Sequence, residues 1–410
     1  MARSLDPIDD AQQIRQADAG LLARALVDQR ERTLHLFAAT RAALHDRLDI
    51  RYADELNPPL WELGHQGWFE EFWIARNTER SRGSSARLEA PRAAQLLRGA
   101  DALYDSSQVA HARRWQLDLP DAARTLRNLA QARERTLVLL RASGDSDDAL
   151  YFFRLALLHE AMHFEAGAMI AQALALDVTT ALTDAAASAC IATGDLHLPA
   201  ASLLLGTHEG GFAFDNELGA HRVDVPAFSV ARAPVTWGAY LPFIEAGGYD
   251  DPQWWTPAGW AWRRRELPSG LPRYLARGDG GAWQRAQFGH WLALDRDRPA
   301  VNLSQHEAQA WCTWAGRRLP TEPEWTQAAA QGGADFEWGQ VWEWTASPFA
   351  PWPGFRPHPY RDYSEPWFDG RPVLKGASFA TVPRMKHPRY RNYFPPGRND
   401  VFAGFRSCAV

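Results

Sequence analysis

Residues 148–175 read DALYFFRLALLHEAMHFEAGAMIAQALA, a stretch that predicts one long amphipathic helix. Its apolar residues recur at i, i+3 and i+4 spacing, as at Leu155, Leu158, Met162, Met169 and Ala173. That recurrence places them on one face of a helix. The same spacing predicts further helices upstream, at about 19–46, 59–77, 92–112 and 121–142. Short connections between such helices favour antiparallel neighbours in an up-and-down bundle.

The chain divides into two regions of unlike composition. Residues 1–185 are rich in Ala, Leu, Arg, Glu and Gln, which are strong helix formers, and hold only four of the 19 tryptophans. Residues 200–410 are dense in Gly, Pro, Trp and Phe, and their short apolar runs are broken by turn residues. The composition therefore predicts an α+β protein, with a helical domain at 1–185 and an irregular mixed domain at 200–410.

Charge and composition exclude several classes of protein. The 410 residues carry a net charge of −5 at pH 7, so no basic surface indicates binding to nucleic acid. We expect a cytoplasmic protein without membrane contact, because neither a signal-peptide pattern nor an uncharged apolar stretch of about 20 residues is present. Cys190, Cys312 and Cys408 are too few and too scattered for a disulfide framework. The oligomeric state does not follow from the sequence.

The two histidines of the pattern His159-Glu160-Ala161-Met162-His163 have the spacing of metal ligands. Residues four apart on a helix share a face, with their Cβ atoms about 5–6 Å apart, so both imidazoles can reach one ion. His65 is the candidate third ligand, because it lies mid-helix among aromatic residues, where an unpaired imidazole would be unfavourable. Three neutral histidines would leave coordination positions open to water, substrate or dioxygen.

Other interpretations of this pattern remain open. Two histidines at this spacing also occur as ordinary surface or core residues. The pattern matches the HExxH motif of zinc metallopeptidases too, in which Glu160 would be the general base. The further ligands of those peptidases are not evident, since no HxxGxxH follows and Glu165 lies too close. A zinc metallohydrolase and a non-catalytic, lectin-like binding module are therefore the alternatives from other functional classes.

Several segments of the second region together resemble a known fold family. They are Ala233–Tyr240, Arg298–Asn302, Ala308–Cys312, Arg318–Trp325, Val341–Thr345, Val373–Phe379 and Gly404–Arg406. This region resembles the formylglycine-generating enzyme (sulfatase-modifying factor) fold, which is C-type-lectin-like. The helical region resembles a DinB-type four-helix bundle with the iron-histidine pattern of the ergothioneine-biosynthesis sulfoxide synthases (EgtB-like). The resemblance implies a DinB-like bundle followed by a formylglycine-generating-enzyme-like domain.

This resemblance also implies an oxygen-dependent enzyme with Fe(II) as its cofactor. In the family, three histidines hold a non-heme iron(II) that binds dioxygen and a chalcogen donor. The donor is joined to C2 of the imidazole of hercynine, the trimethyl betaine of histidine. By position, His65, His159 and His163 match the three ligands. The expected partners are small molecules: hercynine, dioxygen and a selenosugar or thiol donor.

The chain departs from true formylglycine-generating enzymes at their redox cysteines. Phe379-Ala380-Thr381 follows the turn after which those enzymes carry a cysteine. Copper-thiolate chemistry is therefore not expected, and Cys312 and Cys408 are interpreted as small buried apolar residues. Trp342 and Trp344 are interpreted as core residues.

The resemblance assigns substrate-binding residues near the carboxyl end. Matching positions imply that Asn392 and Tyr393 lie at hercynine, whose quaternary ammonium suits aromatic faces, while Arg398 can engage a carboxylate or a donor oxygen. The family also uses a tyrosine as proton donor. Tyr360 or Tyr363 can take that role here, since a phenol is an apt acid for reduced oxygen.

Departures from the family pattern bear on the donor. Residues 390–398 resemble the family's substrate-binding strip, and are called the strip here. Phe394 stands where the strip of other members has an Asp that holds the ammonium of γ-glutamyl-cysteine. The usual arginine-rich segment is replaced by 104–115, in which Arg113 and Arg114 are the candidate donor contacts. These features resemble the selenoneine-synthase branch, which joins 1-selenoglucose to hercynine. The alternative is an ergothioneine sulfoxide synthase that uses cysteine or γ-glutamyl-cysteine, because some cysteine-using members also have an aromatic residue at that position.

Overall fold

The computed structural model describes residues 6–184, 186–208 and 210–410. Its α-helices are α1 (Ala11–Arg15), α2 (Ala19–Ala43), α3 (Pro59–Glu70), α4 (Ala100–Tyr104), α5 (Ala122–Arg141), α6 (Asp147–Ala173), α7 (Trp237–Glu245), α8 (Pro257–Glu266), α9 (Gln305–Trp314) and α10 (Glu322–Gln331). Its strands are β1 (Asp195–Leu198), β2 (Ala201–Leu205), β3 (His221–Val225), β4 (Phe228–Ala231), β5 (Leu275–Arg277), β6 (Trp283–Gln287), β7 (His290–Ala293), β8 (Arg317–Arg318), β9 (Trp342–Pro348), β10 (Pro372–Lys375), β11 (Asn392–Tyr393), β12 (Ala403–Gly404) and β13 (Cys408–Ala409). Helices thus precede a mixed region, which confirms the predicted α+β class.

The four long helices α2, α3, α5 and α6 pack together as the amino-terminal bundle, as their periodicity predicts. Asp18, Asp121 and Ser146 accept hydrogen bonds from first-turn amides of α2, α5 and α6, so each of these helices begins at a polar cap. A Cβ on Gly67 would lie 2.7 Å from Cδ1 of Leu129, so the glycine lets α3 and α5 approach closely. None of the helices in the described residues is long and apolar enough to cross a membrane. The likeness of this bundle to DinB proteins stays a prediction.

The predicted helix at 92–112 is wrong. The segment forms only the short α4 and a 3-10 turn at His111–Trp115. Just after α4, Oδ1 of Asp105 accepts hydrogen bonds from the amide and the hydroxyl of Ser107, at 3.0 and 2.6 Å. An aspartate that binds the neighbouring backbone in this way competes with continuation of the helix. The segment therefore runs as a loop along α3 and brings the carbonyl of Tyr104 to that helix.

Two four-stranded sheets form the framework of the described carboxyl-terminal region. Their strand orders are β1-β4-β13-β8 and β11-β10-β9-β12, and β12 pairs with β9 in parallel. The first of these strands begins at Asp195, ahead of residue 200. Trp342 and Trp344 of β9 are fully buried, which confirms that they are core residues, and Cys312 and Cys408 are buried as well.

Buried hydrogen bonds join α6 to the carboxyl-terminal region. Oε1 of Glu165 accepts from Nε1 of Trp342 (2.9 Å) and from Oγ of Ser378 (2.5 Å). Its other oxygen, Oε2, accepts from Oγ1 of Thr381 at 2.8 Å. One apolar core also continues from the bundle into the sheets. These contacts hold the histidines of α6 in a defined position relative to the carboxyl-terminal region.

Glu307 of α9 is a buried carboxyl group that makes stability depend on pH. It accepts hydrogen bonds from the hydroxyl of Tyr249 (2.6 Å) and from the amide and hydroxyl of Ser304 (2.8 Å each). Burial raises its pKa from 4.5 to about 7, although the hydrogen bonds oppose the rise. Between pH 4.5 and about 7, the carboxyl group of Glu307 is therefore protonated in the folded chain but ionised in the unfolded chain. The stabilising contribution of this proton is complete below the unfolded pKa and falls by roughly 3 kcal/mol as the pH rises through the folded pKa.

The variant Glu307→Gln is expected to remove this dependence, because glutamine stays neutral and preserves the capping box at the start of α9. Urea denaturation at about pH 5 and about pH 8 measures the effect. We expect the difference in unfolding free energy, variant minus wild type, to increase by roughly 2–3 kcal/mol from the lower pH to the higher pH. Glu266→Gln, at an exposed site, is the control. If the difference in unfolding free energy between the variant and wild type were the same at both pH values, Glu307 would not be protonated in the folded chain at the lower pH.

Candidate metal centre

Three imidazoles meet between α3 and α6. His65 comes from α3, and His159 and His163 come from successive turns of α6. Their ligand nitrogens all lie within 4.8 Å of one another, and Nε2 of His159 is 3.2 Å from Nε2 of His163. Two nitrogens bound to one ion at about 2.1 Å and at a right angle lie about 3 Å apart, so the observed separation fits a shared metal ion. The structure thus brings together the three histidines that the sequence singles out.

Hydrogen bonds leave Nε2 of two imidazoles free to bind a metal. Nδ1 of His65 lies 2.8 Å from the carbonyl of Tyr104, and Nδ1 of His163 lies 2.5 Å from Oε2 of Glu62. Because a carbonyl and a carboxylate can only accept, both Nδ1 atoms are assigned as donors, and the lone pair is on Nε2. Burial lowers the pKa of His65 to about 3 and that of His159 well below its ordinary value. Both rings are therefore neutral, as metal ligands must be.

Glu62 supports His163 from the opposite helix. Burial would raise the pKa of this carboxyl group, but its electrostatic interaction and hydrogen bond with His163 hold the pKa at about 2. Its other oxygen accepts from Nδ2 of Asn57 at 2.5 Å. Glu62 is not among the site residues predicted from the sequence. Its position three residues before His65, on the same face of α3, was the available signal, since metal-bound imidazoles commonly donate to a carboxylate.

Close packing orients the rings of the centre. A Cβ on Gly64 would lie 2.4 Å from the ring of Tyr104, so only glycine lets the Tyr104 segment lie this close to α3. Trp61 stacks on the ring of His65 at 4.9 Å between centroids. Phe69 lies almost parallel to the ring of His159, with centroids 3.4 Å apart. The sequence gives no signal that the backbone carbonyl of Tyr104 accepts a hydrogen bond from His65. This contact depends on a loop where the apolar periodicity predicted a helix.

Glu160 does not belong to the centre. Its carboxylate forms buried ion pairs with Nε of Arg30 (2.7 Å) and with a terminal nitrogen of Arg133 (2.6 Å), and Glu70 completes the cluster. Although burial alone would raise the pKa of Glu160, the two guanidinium groups hold it at about 2. A base with two arginines on its oxygens cannot take a proton from a water at the histidines. The zinc metallohydrolase alternative therefore loses its general base.

Tyr360 reaches the centre, whereas Tyr363 lies behind it. The ring of Tyr360 is 5.8 Å from that of His159 and 4.9 Å from that of Phe69. No described residue forms a hydrogen bond with its hydroxyl. Burial and nearby carboxylates, Asp362 first among them, raise its pKa, so the phenol holds its proton. Tyr363 is stacked on Phe214 at 4.3 Å and is 6.0 Å from Tyr360. Of the two candidates, Tyr360 is the one whose ring lies next to His159, and its role as a proton donor stays a prediction.

The carboxyl-terminal strip is connected to the centre through these tyrosines. Tyr393 of β11 stacks on Phe349 at 4.0 Å and lies 6.4 Å from Tyr363. Oδ1 of Asn392 accepts from the amide of Tyr393 (2.9 Å), so the amide nitrogen of that side chain stays available to a ligand. The aromatic residues of the strip and of the 360–363 segment therefore form one continuous cluster that leads from β11 to His159.

Comparison with known proteins now identifies the family. The sulfatase-modifying factor enzyme 1-like domain matches residues 183–340 and 335–409. Hercynine oxygenases of Mycolicibacterium smegmatis and Mycobacterium tuberculosis are 32% and 33% identical to this chain, over 94% of it and 97% of their own lengths. The chain belongs to the hercynine oxygenase family. Ergothioneine biosynthesis protein 1 of Schizosaccharomyces pombe is 27% identical over 48% of this chain and 27% of its own length. These matches confirm the family predicted from the sequence.

In this member of the hercynine oxygenase family, the arginine of the strip is already paired. Nε and a terminal nitrogen of Arg398 each lie 2.5 Å from an oxygen of Asp400, and the guanidinium stands over the ring of Phe394 at 5.1 Å. The guanidinium of Arg398 is thus neutralised by Asp400, and its engagement of a substrate carboxylate or a donor oxygen stays a prediction. The signal for this ion pair is local in the sequence, because Asp400 lies two residues after Arg398.

The two arginines of the 104–115 segment that were predicted to contact the chalcogen donor lie in different surroundings. Arg113 is exposed and donates to Gln116 (2.8 Å), so it is not brought to the centre. Arg114 packs over the ring of Trp61 at 4.1 Å and donates to Oδ1 of Asn57 at 2.8 Å. Asn57 in turn contacts Glu62, so Arg114 belongs to the surroundings of His65 and His163.

Glu62→Gln is expected to weaken metal binding by about 10–100-fold, the range typical when the partner of a metal-bound imidazole is changed. Glutamine retains an acceptor for Nδ1 of His163 but removes the charge that strengthens the imidazole as a ligand. Metal affinity is measured by competition with a coloured chelator. Glu134→Gln, at an exposed position on α5, is the matched control. Equal affinity in Glu62→Gln and wild type would show that Glu62 does not support a metal ligand.

Proposed function

We propose that this protein is a selenoneine synthase. It joins the selenium of 1-selenoglucose to C2 of the hercynine imidazole, using dioxygen and a non-heme Fe(II) held by His65, His159 and His163. The carrying observation is the strip at 390–398: Phe394 stands in place of an ammonium acceptor, and Arg398 is bound to Asp400. A strip without free charges suits a neutral sugar donor better than an amino acid.

Membership of the hercynine oxygenase family supports hercynine as the acceptor. The electrons balance for one turnover with a selenol donor, the C2–H of hercynine and one dioxygen molecule. Formation of the C–Se bond removes one hydrogen each from selenium and carbon, which is two electrons. Transfer of one oxygen atom to selenium uses two more, and the second oxygen atom leaves as water.

Each residue of the centre has its own role in this reaction. Three neutral imidazoles suit Fe(II), which would supply the redox chemistry for dioxygen and a soft site for selenium. Glu62 and the carbonyl of Tyr104 orient the rings that hold it. Tyr360 delivers the proton that reduced oxygen needs, and the aromatic cluster around Tyr393 receives the trimethylammonium of hercynine.

A second candidate is an ergothioneine sulfoxide synthase, with cysteine or γ-glutamyl-cysteine as the donor. The observation in its favour is the full-length match to proteins named hercynine oxygenase. It uses the same centre and the same acceptor. The two candidates differ in the donor: one takes selenium carried by a neutral sugar, and the other takes sulfur carried by an amino acid or a dipeptide.

A donor comparison decides between them. Iron-loaded protein is incubated with hercynine and dioxygen, and with 1-selenoglucose, cysteine or γ-glutamyl-cysteine in separate reactions. Mass spectrometry identifies the products. We expect the C–Se product at a rate at least about tenfold above that of either thiol donor. A product from a sulfur amino acid alone would overturn the selenium assignment and retain the ergothioneine-type activity. Product formed without oxygen would overturn both.

A further inference from the structure

We propose that Asp215 is a positioning residue for the reaction, because it holds both ends of the loop that carries Tyr360 beside the metal centre. This rests on the proposed function, in which the phenol of Tyr360 is the proton donor. The loop consists of residues 358–364, and we name it the tyrosine segment. Both Tyr360 and Tyr363 lie on it.

The tyrosine segment has little regular structure of its own. It forms a 3-10 turn at Arg361–Tyr363 and is otherwise irregular. The ring of Tyr360 packs against those of Phe69 (4.9 Å) and Trp73 (6.2 Å), but apolar contacts of this kind are not directional. Among the described residues nothing forms a hydrogen bond with the hydroxyl of Tyr360 either. The direction of the phenol therefore depends on how the backbone of the segment is held.

Both ends of the tyrosine segment are bound to Asp215, which is 2% exposed. Its Oδ2 accepts from the backbone amide of His358 at 3.3 Å, two residues before Tyr360. Its Oδ1 accepts from the hydroxyl of Ser364, four residues after Tyr360. One carboxylate thus joins the two ends of the loop, which restricts the conformations open to the chain between them.

Asp215 is itself held by a buried turn. It begins a 3-10 turn that ends at Glu217, whose carboxylate accepts from the backbone amide of Phe214 at 3.1 Å. Glu217 also forms a buried ion pair with Arg15 at 2.5 Å. Phe214 stacks on the ring of Tyr363, with centroids 4.3 Å apart. The carboxylate that binds the tyrosine segment is therefore anchored to α1, on which Arg15 lies.

A second contact relates the tyrosine segment to the metal centre. Nδ1 of His358 forms a hydrogen bond with the hydroxyl of Tyr151, at 2.8 Å. Burial lowers the pKa of His358 to about 4, so its ring is neutral. Tyr151 lies on α6, about two turns before His159. The helix that carries two of the three metal-ligand candidates therefore also holds the start of the segment that presents Tyr360.

The hydrogen bonds of Asp215 also stabilise its own charge. Burial raises its pKa to about 6, although the bonds from Ser364 and His358 oppose the rise. Within the described residues no cation forms an ion pair with it. Loss of the carboxylate would leave the amide of His358 and the hydroxyl of Ser364 buried without this acceptor, which is unfavourable. We therefore expect the segment to move, and Tyr360 with it.

Steady-state kinetics of the iron-loaded protein at about pH 8, where Asp215 is ionised, test this role. Asp215→Ala should lower kcat at least about tenfold, because a displacement of about 1 Å can cost about 100-fold in rate. KM for hercynine and for 1-selenoglucose should change by less than about threefold. Asp215→Asn, which keeps an acceptor for the amide of His358, should restore kcat to within about threefold of wild type. Asp224→Ala, at an exposed site on β3, is the control.

The effect should be coupled to Tyr360. In a Tyr360→Phe background, Asp215→Ala should lower kcat by less than about twofold, since the group that it positions is already absent. An equal loss in both backgrounds would overturn the positioning role. A rise in KM for hercynine with unchanged kcat would overturn it too, and would show that Asp215 is a counter-charge for the trimethylammonium group. Wild-type protein that forms product only with a thiol donor would overturn the selenium assignment alone, because the same coupling is then measured with that donor.

Trypsin measures the order of the tyrosine segment without turnover. Arg361 is half-exposed within the segment, whereas Arg356 and Arg371 on either side each precede a proline and resist cleavage. Asp215→Ala should raise the rate of cleavage after Arg361 at least about threefold relative to cleavage after Arg47, which is exposed in a loop of the bundle. This ratio separates local release of the segment from unfolding of the whole chain.

Ser364→Ala is a second variant, which removes one donor to Asp215 and leaves the carboxylate in place. It should lower kcat and raise the cleavage ratio, each by less than Asp215→Ala, because the bond from the amide of His358 remains. An unchanged kcat and an unchanged cleavage ratio in both variants would overturn the inference.

Discussion

His159→Ala is expected to abolish metal binding and turnover together. His159 is the most enclosed ligand candidate, since Phe69 covers one of its faces and Nε2 of His163 lies 3.2 Å from its own Nε2. Without it, two imidazoles on different helices remain, and a pair binds a divalent ion far more weakly than a trio. We expect affinity for iron(II) to fall by more than about 100-fold, beyond the effect of removing a residue that only supports a ligand.

Metal content by mass spectrometry and product formation are the two measurements, and they should fall in parallel. His35→Ala, which removes an exposed histidine from α2, is the control for loss of a histidine as such. Circular dichroism should show the same helical content in both variants. If His159→Ala retained its metal and its activity, the three-histidine centre would not be the site of the reaction.

Arg133→Met is expected to destabilise the fold by about 3–5 kcal/mol, the usual effect of removing one partner from a buried ion pair. Arg133 contacts Glu70 at 2.7 Å and Glu160 at 2.6 Å, and it also donates to the carbonyl of Leu26. After the substitution Arg30 alone would face two buried carboxylates. At least one of them would have to take up a proton or admit water.

Urea denaturation measures this loss as a lower midpoint with an unchanged slope. Arg24→Met is the matched control, because Arg24 forms an exposed pair with Asp6 and such pairs contribute at most about 1 kcal/mol. The Arg133 variant should also regain stability at low pH relative to wild type, since protonation of Glu70 or Glu160 relieves the unpaired charge. Equal midpoints for the two variants would show that the buried cluster does not hold the bundle together.

Local patterns were enough to predict much of this molecule. The spacing of Leu155, Leu158 and Met162 identified α6, and the four-residue interval between His159 and His163 placed both rings on one face of it. Both inferences depend only on the period of a helix, which each segment carries by itself. The family was predictable for a similar reason, since long motifs such as Arg318–Trp325 are read along the chain.

Other features depended on partners distant in sequence. Glu160 lies between the two histidines, yet its carboxylate is turned to Arg30 and Arg133 of other helices. Glu62 pairs with a histidine 101 residues away. A hydrogen bond of this kind leaves no periodic signal, because the two residues are brought together only when the helices pack.

The sequence by itself determined the four long helices of the bundle, the histidine pair of α6, the core role of Trp342 and Trp344 and the family. Only the tertiary structure decided that His65 joins that pair, that Tyr360 rather than Tyr363 faces it, and that Arg398 is bound to its own neighbour Asp400. The physical reason is that secondary structure arises from contacts within a few residues. A centre built from two helices and a distant loop exists only once apolar burial has packed those elements against each other.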